Sequence, residues 1–203
     1  MAGKKEPTLK GLIMDLNSLG SSNSRFAILG LQLYAEHYAN EIVMEQVKDC
    51  AKSEMRKYLT FPQKLRILKR MKVIDEGKKR ILEMLNSIRD TFVHELVISS
   101  DEINERLKFA QLGFNYSWGI GTKDKTSEVH LIDLEKEYRE KSISKYNQLI
   151  ISSVILIGIL YWNLMLLRGK NSDQFIDVSF VQNSEKWAAN LTVKQFNVKQ
   201  NFP

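Results

Sequence analysis

The sequence predicts an all-α fold, a helical bundle with a long apolar C-terminal helix and a short tail, and three features carry this prediction. Of the 203 residues only ten are Gly and three are Pro, which argues against the many turns of a β sandwich. Apolar residues recur at spacings of three and four along several stretches, as on one face of a helix. A hydrophobic fraction of 43% is enough for such helices to bury a core.

The first long helix is predicted to follow a leader at residues 1–23. A Gly-Ser-Ser-Asn-Ser run closes the leader, and such polar residues commonly cap the start of a helix. Beyond it, Ile28, Leu31 and Ala35 keep helical spacing. No Gly or Pro interrupts residues 31–58. The sequence therefore predicts a helix of unusual length at the start of the bundle.

Three further helices are predicted in the middle of the chain. Pro62 marks a break, because the residue before a proline disfavours helix, and a helix resumes over residues 63–74. The next runs over about residues 78–97, and residues 99–102 form a cap signal for a shorter one. Residues 113–130 hold three of the ten glycines. They are predicted to form a loop or a small hairpin.

The remainder of the chain is predicted to hold one long helix and a tail. The helix covers about residues 131–168, with a charged first half and an apolar second half. Residues 169–203 contain two short runs of apolar and β-branched residues, which are typical of strands or an extended tail. The bundle itself is therefore predicted over residues 24–168.

The apolar half of the last helix allows two interpretations. Residues 149–167 carry no charge, and a bilayer core needs about 20 apolar residues. Tyr161 and Trp162 lie near one end, like interfacial anchors. A membrane anchor is thus one alternative. The other is a central bundle helix, apolar on nearly all sides, in which Gln148 and Ser152 form part of a polar stripe.

Charge and cysteine content limit the partners and the location. The net charge is +6 and the pI is about 9.3, which suits a polyanion such as nucleic acid or an anionic membrane surface. The single cysteine, Cys50, excludes an intramolecular disulfide and a Cys-rich zinc site. The first apolar stretch, Leu9–Met14, is too short for a secretory signal. A cytoplasmic location is expected, with a membrane anchor through 149–167 as the alternative.

The segment that ends at His94 carries the strongest candidate site. Asp90 and His94 are four residues apart and share a helix face, where a carboxylate can orient an imidazole. Arg89 brings a permanent charge and a fork of donors suited to phosphate. These three side chains fit RNA cleavage without a metal, in which the histidine moves a proton and the arginine stabilises the phosphate. A solvated helix surface is the interpretation that spacing alone leaves open.

The string Leu85-Asn-Ser-Ile-Arg-Asp-Thr-Phe-Val-His-Glu95 resembles the Arg-x4-6-His signature of the HEPN superfamily, a set of all-α nucleotide- and RNA-binding domains. Residues 61–74 before it and 99–107 after it resemble the mannitol operon repressor-like branch. The resemblance covers residues 24–168. Asp90 stands where this branch often has Asn.

The resemblance implies a homodimeric helical bundle in which Arg89 and His94 of both copies meet in one cleft. It implies a toxin- or defence-like endoribonuclease that works without metal or cofactor, through attack of the RNA 2′-hydroxyl. His94 is then the general acid/base, Arg89 the phosphate stabiliser and Asp90 the orienting residue. A non-catalytic regulatory or interaction module on the same fold is the alternative. A neutralising or regulatory protein is a further partner to look for.

A basic run precedes the motif. Residues 64–80 hold eight basic side chains and two acidic ones. Such a run is predicted to track RNA phosphates, and the solvated face of an amphipathic helix is the alternative. The predicted RNA contacts are Lys64, Arg66, Lys69, Arg70, Lys72, Lys79 and Arg80.

Overall fold

The structure is a computed structural model, and it describes residues 7–19, 24–46, 59–94, 99–119, 129–170, 174–183 and 186–195. Within these ranges the chain is mainly helical, as predicted, with two small antiparallel hairpins. The helices are α1 (Leu9–Leu19), α2 (Ser24–Gln46), α3 (Phe61–Arg70), α4 (Glu76–His94), α5 (Ser100–Arg106), α6 (Leu134–Glu140) and α7 (Lys145–Leu167). The strands are β1 (Asn115–Gly119), β2 (Val129–Asp133), β3 (Gln174–Asn183) and β4 (Lys186–Gln195). Residues 47–58 of the predicted first long helix and the predicted helix end at 95–97 lie outside the described residues.

Two long helices, α2 and α7, form the centre of the core. Helix α2 packs along α7, and α1, α3 and α4 also pack against α2. Apolar side chains from all five helices join in one buried cluster. Beyond the last turn of α7, Arg168 donates to Glu41 and Glu45 of α2 at 2.8 Å each. The end of α7 is therefore fixed to the second half of α2.

The core continues past both predicted boundaries of the bundle. In the predicted leader, residues 1–23, α1 buries Leu9 completely. In the predicted tail, residues 169–203, β3 and β4 pair in antiparallel register, and Ile176 of β3 is buried. Ile176 packs so closely on α7 that a Cβ on Gly158 would lie 2.8 Å from its side chain. Helix α1 and the second hairpin therefore share the core of the bundle.

The predicted single helix over residues 131–168 is wrong, because the chain there forms β2, α6 and α7 in turn. Asp133 caps α6 by accepting a first-turn backbone N–H at 3.1 Å. After α6 the chain turns at Ser142, whose φ of 50° is left-handed. Ser144 then caps α7 in the same way as Asp133 caps α6. These caps satisfy free backbone donors, so they define where each helix begins.

The loop or small hairpin predicted at residues 113–130 is confirmed as the β1–β2 hairpin, although residues 120–128 lie outside the described part of the chain. The Tyr116 hydroxyl donates to the carbonyl of Ile176 at 3.1 Å, which joins this hairpin to β3. Burial, with a smaller effect of Asp177, raises the pKa of Tyr116 to about 12. The tyrosine is therefore neutral, as a buried hydroxyl should be.

Helix α7 contains the apolar stretch that suggested a membrane span. Among the described residues it is the one helix long and apolar enough to cross a bilayer, and 61% of its most apolar window is buried inside the protein. The buried Gln148 side chain donates to the Ile143 carbonyl at 2.6 Å, and the Ser152 and Tyr138 hydroxyls are 2.8 Å apart. Core helices and membrane anchors both meet this description. The location of the protein stays a prediction.

Candidate functional site

Helix α4 presents the predicted motif at its C-terminal end. Asp75 caps its start by accepting the backbone N–H of the third following residue at 2.9 Å. Leu85 and Phe92 are among the side chains that α4 buries against the bundle. Arg89 lies between these anchors and is partly exposed, while His94 is exposed at the last position of the helix. The helix therefore holds the motif by one face and leaves the Arg89 and His94 side chains open to solvent.

The Arg89 guanidinium is held in place by the next residue. Its Nη1 donates to Asp90 Oδ1 at 2.7 Å. The two side chains are 32% and 49% exposed, so the pair lies at the surface. A guanidinium has five N–H donors, and this bond uses one of them. Arg89 thus keeps donors for a phosphate while its position is restricted.

A chain of side-chain amides continues from Asp90 into the core. Asn86 Nδ2 donates to Asp90 Oδ2 at 3.1 Å, and Gln32 Nε2 of α2 donates to Asn86 Oδ1 at 3.0 Å. A carboxylate only accepts, so Asn86 must turn its NH2 group toward Asp90 and its oxygen toward Gln32. Gln32 is 1% exposed, and its Oε1 has no partner among the described residues. The position of Arg89 is therefore linked to the interior of the bundle.

His94 does not take part in this chain. Both oxygens of Asp90 accept bonds from other residues, and no hydrogen bond between Asp90 and His94 is present. In this arrangement Asp90 orients Arg89 rather than the imidazole. Five residues along a helix correspond to a rotation of about 140° between Arg89 and His94. One copy of α4 alone therefore points these two side chains in different directions.

Several cations of the predicted RNA surface are engaged in ion pairs at the turn between α3 and α4. Glu76 lies 2.5 Å from Lys69, 3.3 Å from Lys79 and 3.7 Å from Arg80. Lys79 also pairs with Glu83 at 3.0 Å. The bonds from Lys69 and then Lys79 lower the pKa of Glu76, and the bond to Glu83 raises the pKa of Lys79. Acidic neighbours thus neutralise much of this charge.

Lys64 lies inside the fold. It is 4% exposed, and its Nζ donates to Glu36 of α2 at 3.2 Å. It shares the buried face of α3 with Leu65 and Leu68. Lys64 therefore does not lie on the surface that RNA could contact. The predicted contacts that are exposed and form no ion pair with another described residue are Arg66, Arg70 and Lys72.

A second arginine lies beside the motif helix, at the end of α5. Arg106 Nη1 donates to the Thr91 hydroxyl at 3.2 Å, and that hydroxyl donates to the Ser87 carbonyl at 3.1 Å. An open groove of about 290 Å³ separates the two helices here. Its lining residues are Met84, Ser87, Ile88, Thr91, Arg106, Leu107 and Ala110.

Four residues of this region were not predicted as site residues. Asn86 could have been found from the sequence, because it precedes Asp90 by four positions and so shares its helix face. Thr91 lies within the motif, but its spacing gives no sign of a partner. Gln32 and Arg106 reach α4 from other helices, so only tertiary packing reveals them.

Within the described ranges, no group of three or more His, Cys, Asp or Glu side chains could hold a metal ion. No family model, no curated protein and no solved structure matches the chain. The resemblance to the HEPN superfamily therefore stays a prediction from the motif.

Proposed function

We propose that the protein is a metal-independent endoribonuclease of HEPN type, with a toxin- or defence-like role, that cuts RNA at the cleft of a homodimer. The observation that supports this best is the restrained guanidinium of Arg89, at the surface of the helix that also presents the exposed His94. A cation whose position is already restricted needs less reorganisation to stabilise charge developing on a phosphate. An accessible imidazole can supply the proton transfer.

The proposed reaction uses the RNA itself as the nucleophile. His94 of one copy takes the proton of the 2′-hydroxyl, whose oxygen attacks the adjacent phosphorus. The bond from phosphorus to the 5′-oxygen breaks, and His94 of the second copy gives that oxygen a proton. The products are a 2′,3′-cyclic phosphate and a 5′-hydroxyl. Arg89 binds the phosphoryl oxygens, Asp90 holds its guanidinium, and Asn86 holds Asp90.

A non-catalytic regulatory or interaction module is the second candidate, and one observation favours it. Asp90 partly neutralises Arg89 and makes no bond to His94. An arrangement of this kind can bind a nucleotide or a protein without chemistry. The two candidates differ in whether His94 is needed for a covalent change in RNA.

The decisive experiment is cleavage of a mixed-sequence RNA in EDTA by the wild type, His94→Ala and Arg89→Ala. We expect cleavage by the wild type, with cyclic-phosphate ends, and rates reduced about 10²- to 10⁴-fold in His94→Ala. Arg89→Lys should rescue little, because an ammonium lacks the planar fork. Arg139→Ala, which removes an exposed arginine of α6, serves as the matched control.

Thermal unfolding must first show that all variants fold alike. Cleavage that continues at the wild-type rate in His94→Ala would refute the assigned mechanism. Absence of cleavage by every protein, with intact RNA binding, would favour the regulatory module.

A further inference from the structure

We infer that the groove between α4 and α5 is a subsite for one nucleotide of the RNA, with Arg106 as the residue that binds its phosphate. The inference deepens the proposed function and rests on it for the identity of the ligand. Its geometric basis is the Arg106–Thr91 contact and the open groove beside it.

The guanidinium of Arg106 is oriented by Thr91. A hydroxyl has a single proton, and that of Thr91 is donated to the Ser87 carbonyl at 3.1 Å. The lone pairs of the Thr91 hydroxyl oxygen are therefore available to accept the N–H of Arg106 Nη1 at 3.2 Å. Arg106 is exposed, and its guanidinium carries five donors in one plane, one of which is bonded to Thr91. A phosphate that approaches the groove meets an arginine whose direction is already set.

Helix α5 is placed firmly enough to hold this arginine. The predicted cap at its start is confirmed, because Ser99 and Glu102 exchange bonds of 2.8 Å and 3.2 Å in a capping box. Ile103 is buried, and Asn104 accepts the backbone N–H of Tyr146 in α7 at 2.8 Å. The position of Arg106 is thus set by the core.

The groove lies beside the proposed catalytic histidine. Thr91 and His94 are three residues apart on α4, so their side chains are neighbours on one side of the helix. Asp90, whose carboxylate binds Arg89, neighbours His94 on its other side by the same rule. His94 therefore projects between Asp90 and Thr91, the residue that holds Arg106. An RNA strand that crosses the end of α4 beside His94 would place one of its phosphates at Arg106.

The lining of the groove suits a nucleotide. Met84 and Ala110 are half-buried and give apolar contact for the face of a base, above the buried Ile88 and Leu107. Polar groups at the edge come from Ser87 and the arginine, as in ligand sites where a few polar groups fix an apolar ligand. A volume of about 290 Å³ is at the small end for ligand sites, which favours one nucleotide over a longer segment.

The test uses a short RNA with 2′-O-methyl groups, which binds but lacks the nucleophile for cleavage. Its Kd is measured over a range of salt concentrations for the wild type, Arg106→Gln, Ser87→Phe and the control Arg139→Gln. We expect Arg106→Gln to weaken binding about tenfold, as for loss of a charged hydrogen bond. It should also lower the salt slope by about 0.7, the value for one phosphate contact in a single strand.

Ser87→Phe fills the groove from an exposed position and leaves the arginine in place. It should weaken binding without a change in the salt slope, and Arg139→Gln should resemble the wild type. Equal binding by the wild type and Arg106→Gln, or no binding by the wild type, overturns the inference. Binding that depends on Arg106 without RNA cleavage by the wild type would sink the proposed catalysis and leave the subsite standing.

Discussion

Asn86 joins the buried Gln32 to Asp90, the residue that binds Arg89. Asn86→Ala removes the bonds to Asp90 and to Gln32, and it leaves the buried Gln32 amide without that partner. The expected loss of unfolding free energy is about 1–3 kcal/mol. With Gln32→Leu as the second variant, a double-mutant cycle should give a coupling of about 0.5–1.5 kcal/mol. Urea denaturation of the four proteins measures it.

Ser87→Ala is the matched control for this cycle, because Ser87 is an exposed neighbour on the same helix whose side chain is outside the amide chain. Combined with Gln32→Leu it should be additive. Additivity of Asn86→Ala with Gln32→Leu would show that Asn86 and Gln32 are not coupled, so that the core does not reach Asp90 through this pair.

Lys64 illustrates what sequence reasoning can and cannot reach. The basic run predicts Lys64 as an RNA contact, yet this lysine lies three residues after Phe61 and four before Leu68, on the buried face of α3. Helical spacing alone could have shown this. Its neutralisation by Glu36 could not be foreseen, because that carboxylate comes from α2 and only packing brings it near.

Between α3 and α4, the ion pairs of Glu76 determine how much charge the surface offers to RNA. Glu76→Gln should release Lys69 and Arg80, while Lys79 keeps its pair with Glu83, and should therefore tighten RNA binding. The salt slope should steepen by up to about 0.7 for each cation that gains a phosphate contact. Pairing with the lysines lowers the pKa of Glu76 below 4.5. The stabilisation that these ion pairs bring is therefore present above pH 4.5, and it is lost as the pH falls through the lowered pKa. RNA-binding titrations at pH 7 therefore compare the wild type, in which the ion pairs are intact, with Glu76→Gln, in which the cations are released.

Glu140→Gln is the control, since Glu140 is an exposed glutamate of α6 that lies 3.8 Å from Lys136. This variant removes the same charge from a helix that is far from α4 in the sequence. If both variants tighten binding equally, net charge accounts for the effect, and the α3–α4 surface has no special role.

The helices were predicted better than their connections. Spacing of apolar residues located α2, α3 and α4, and the cap signal located α5, because both patterns are local. The break between α6 and α7 was missed, although Asp133 and Ser144 are residues that cap helices. The role of β3 and β4 in the core depends on contacts with α7 and α1, which no local pattern encodes.

For the protein as a whole, the arrangement around α4 favours a dimeric site. Arg89 and His94 diverge by about 140° around one helix, so a cleft that uses both is more easily formed from two copies. The proposed homodimer should be soluble without detergent if α7 is a bundle helix. Light scattering in plain buffer tests both points, and a chain that stays in solution only with detergent would instead support a membrane anchor through α7.

The proposed dimeric site makes a prediction that a monomeric site does not. Arg89→Ala and His94→Ala, each inactive alone, should regain part of the wild-type cleavage when they are mixed under conditions that exchange subunits. A mixed dimer keeps one intact Arg89 and one intact His94 in the shared cleft. The recovered rate should fall below the wild-type rate, because only one histidine remains for the two proton transfers. A mixture with Arg89→Ala/His94→Ala in place of either partner is the control and should stay inactive. If labelled subunits exchange and no cleavage returns, the two copies do not share a site.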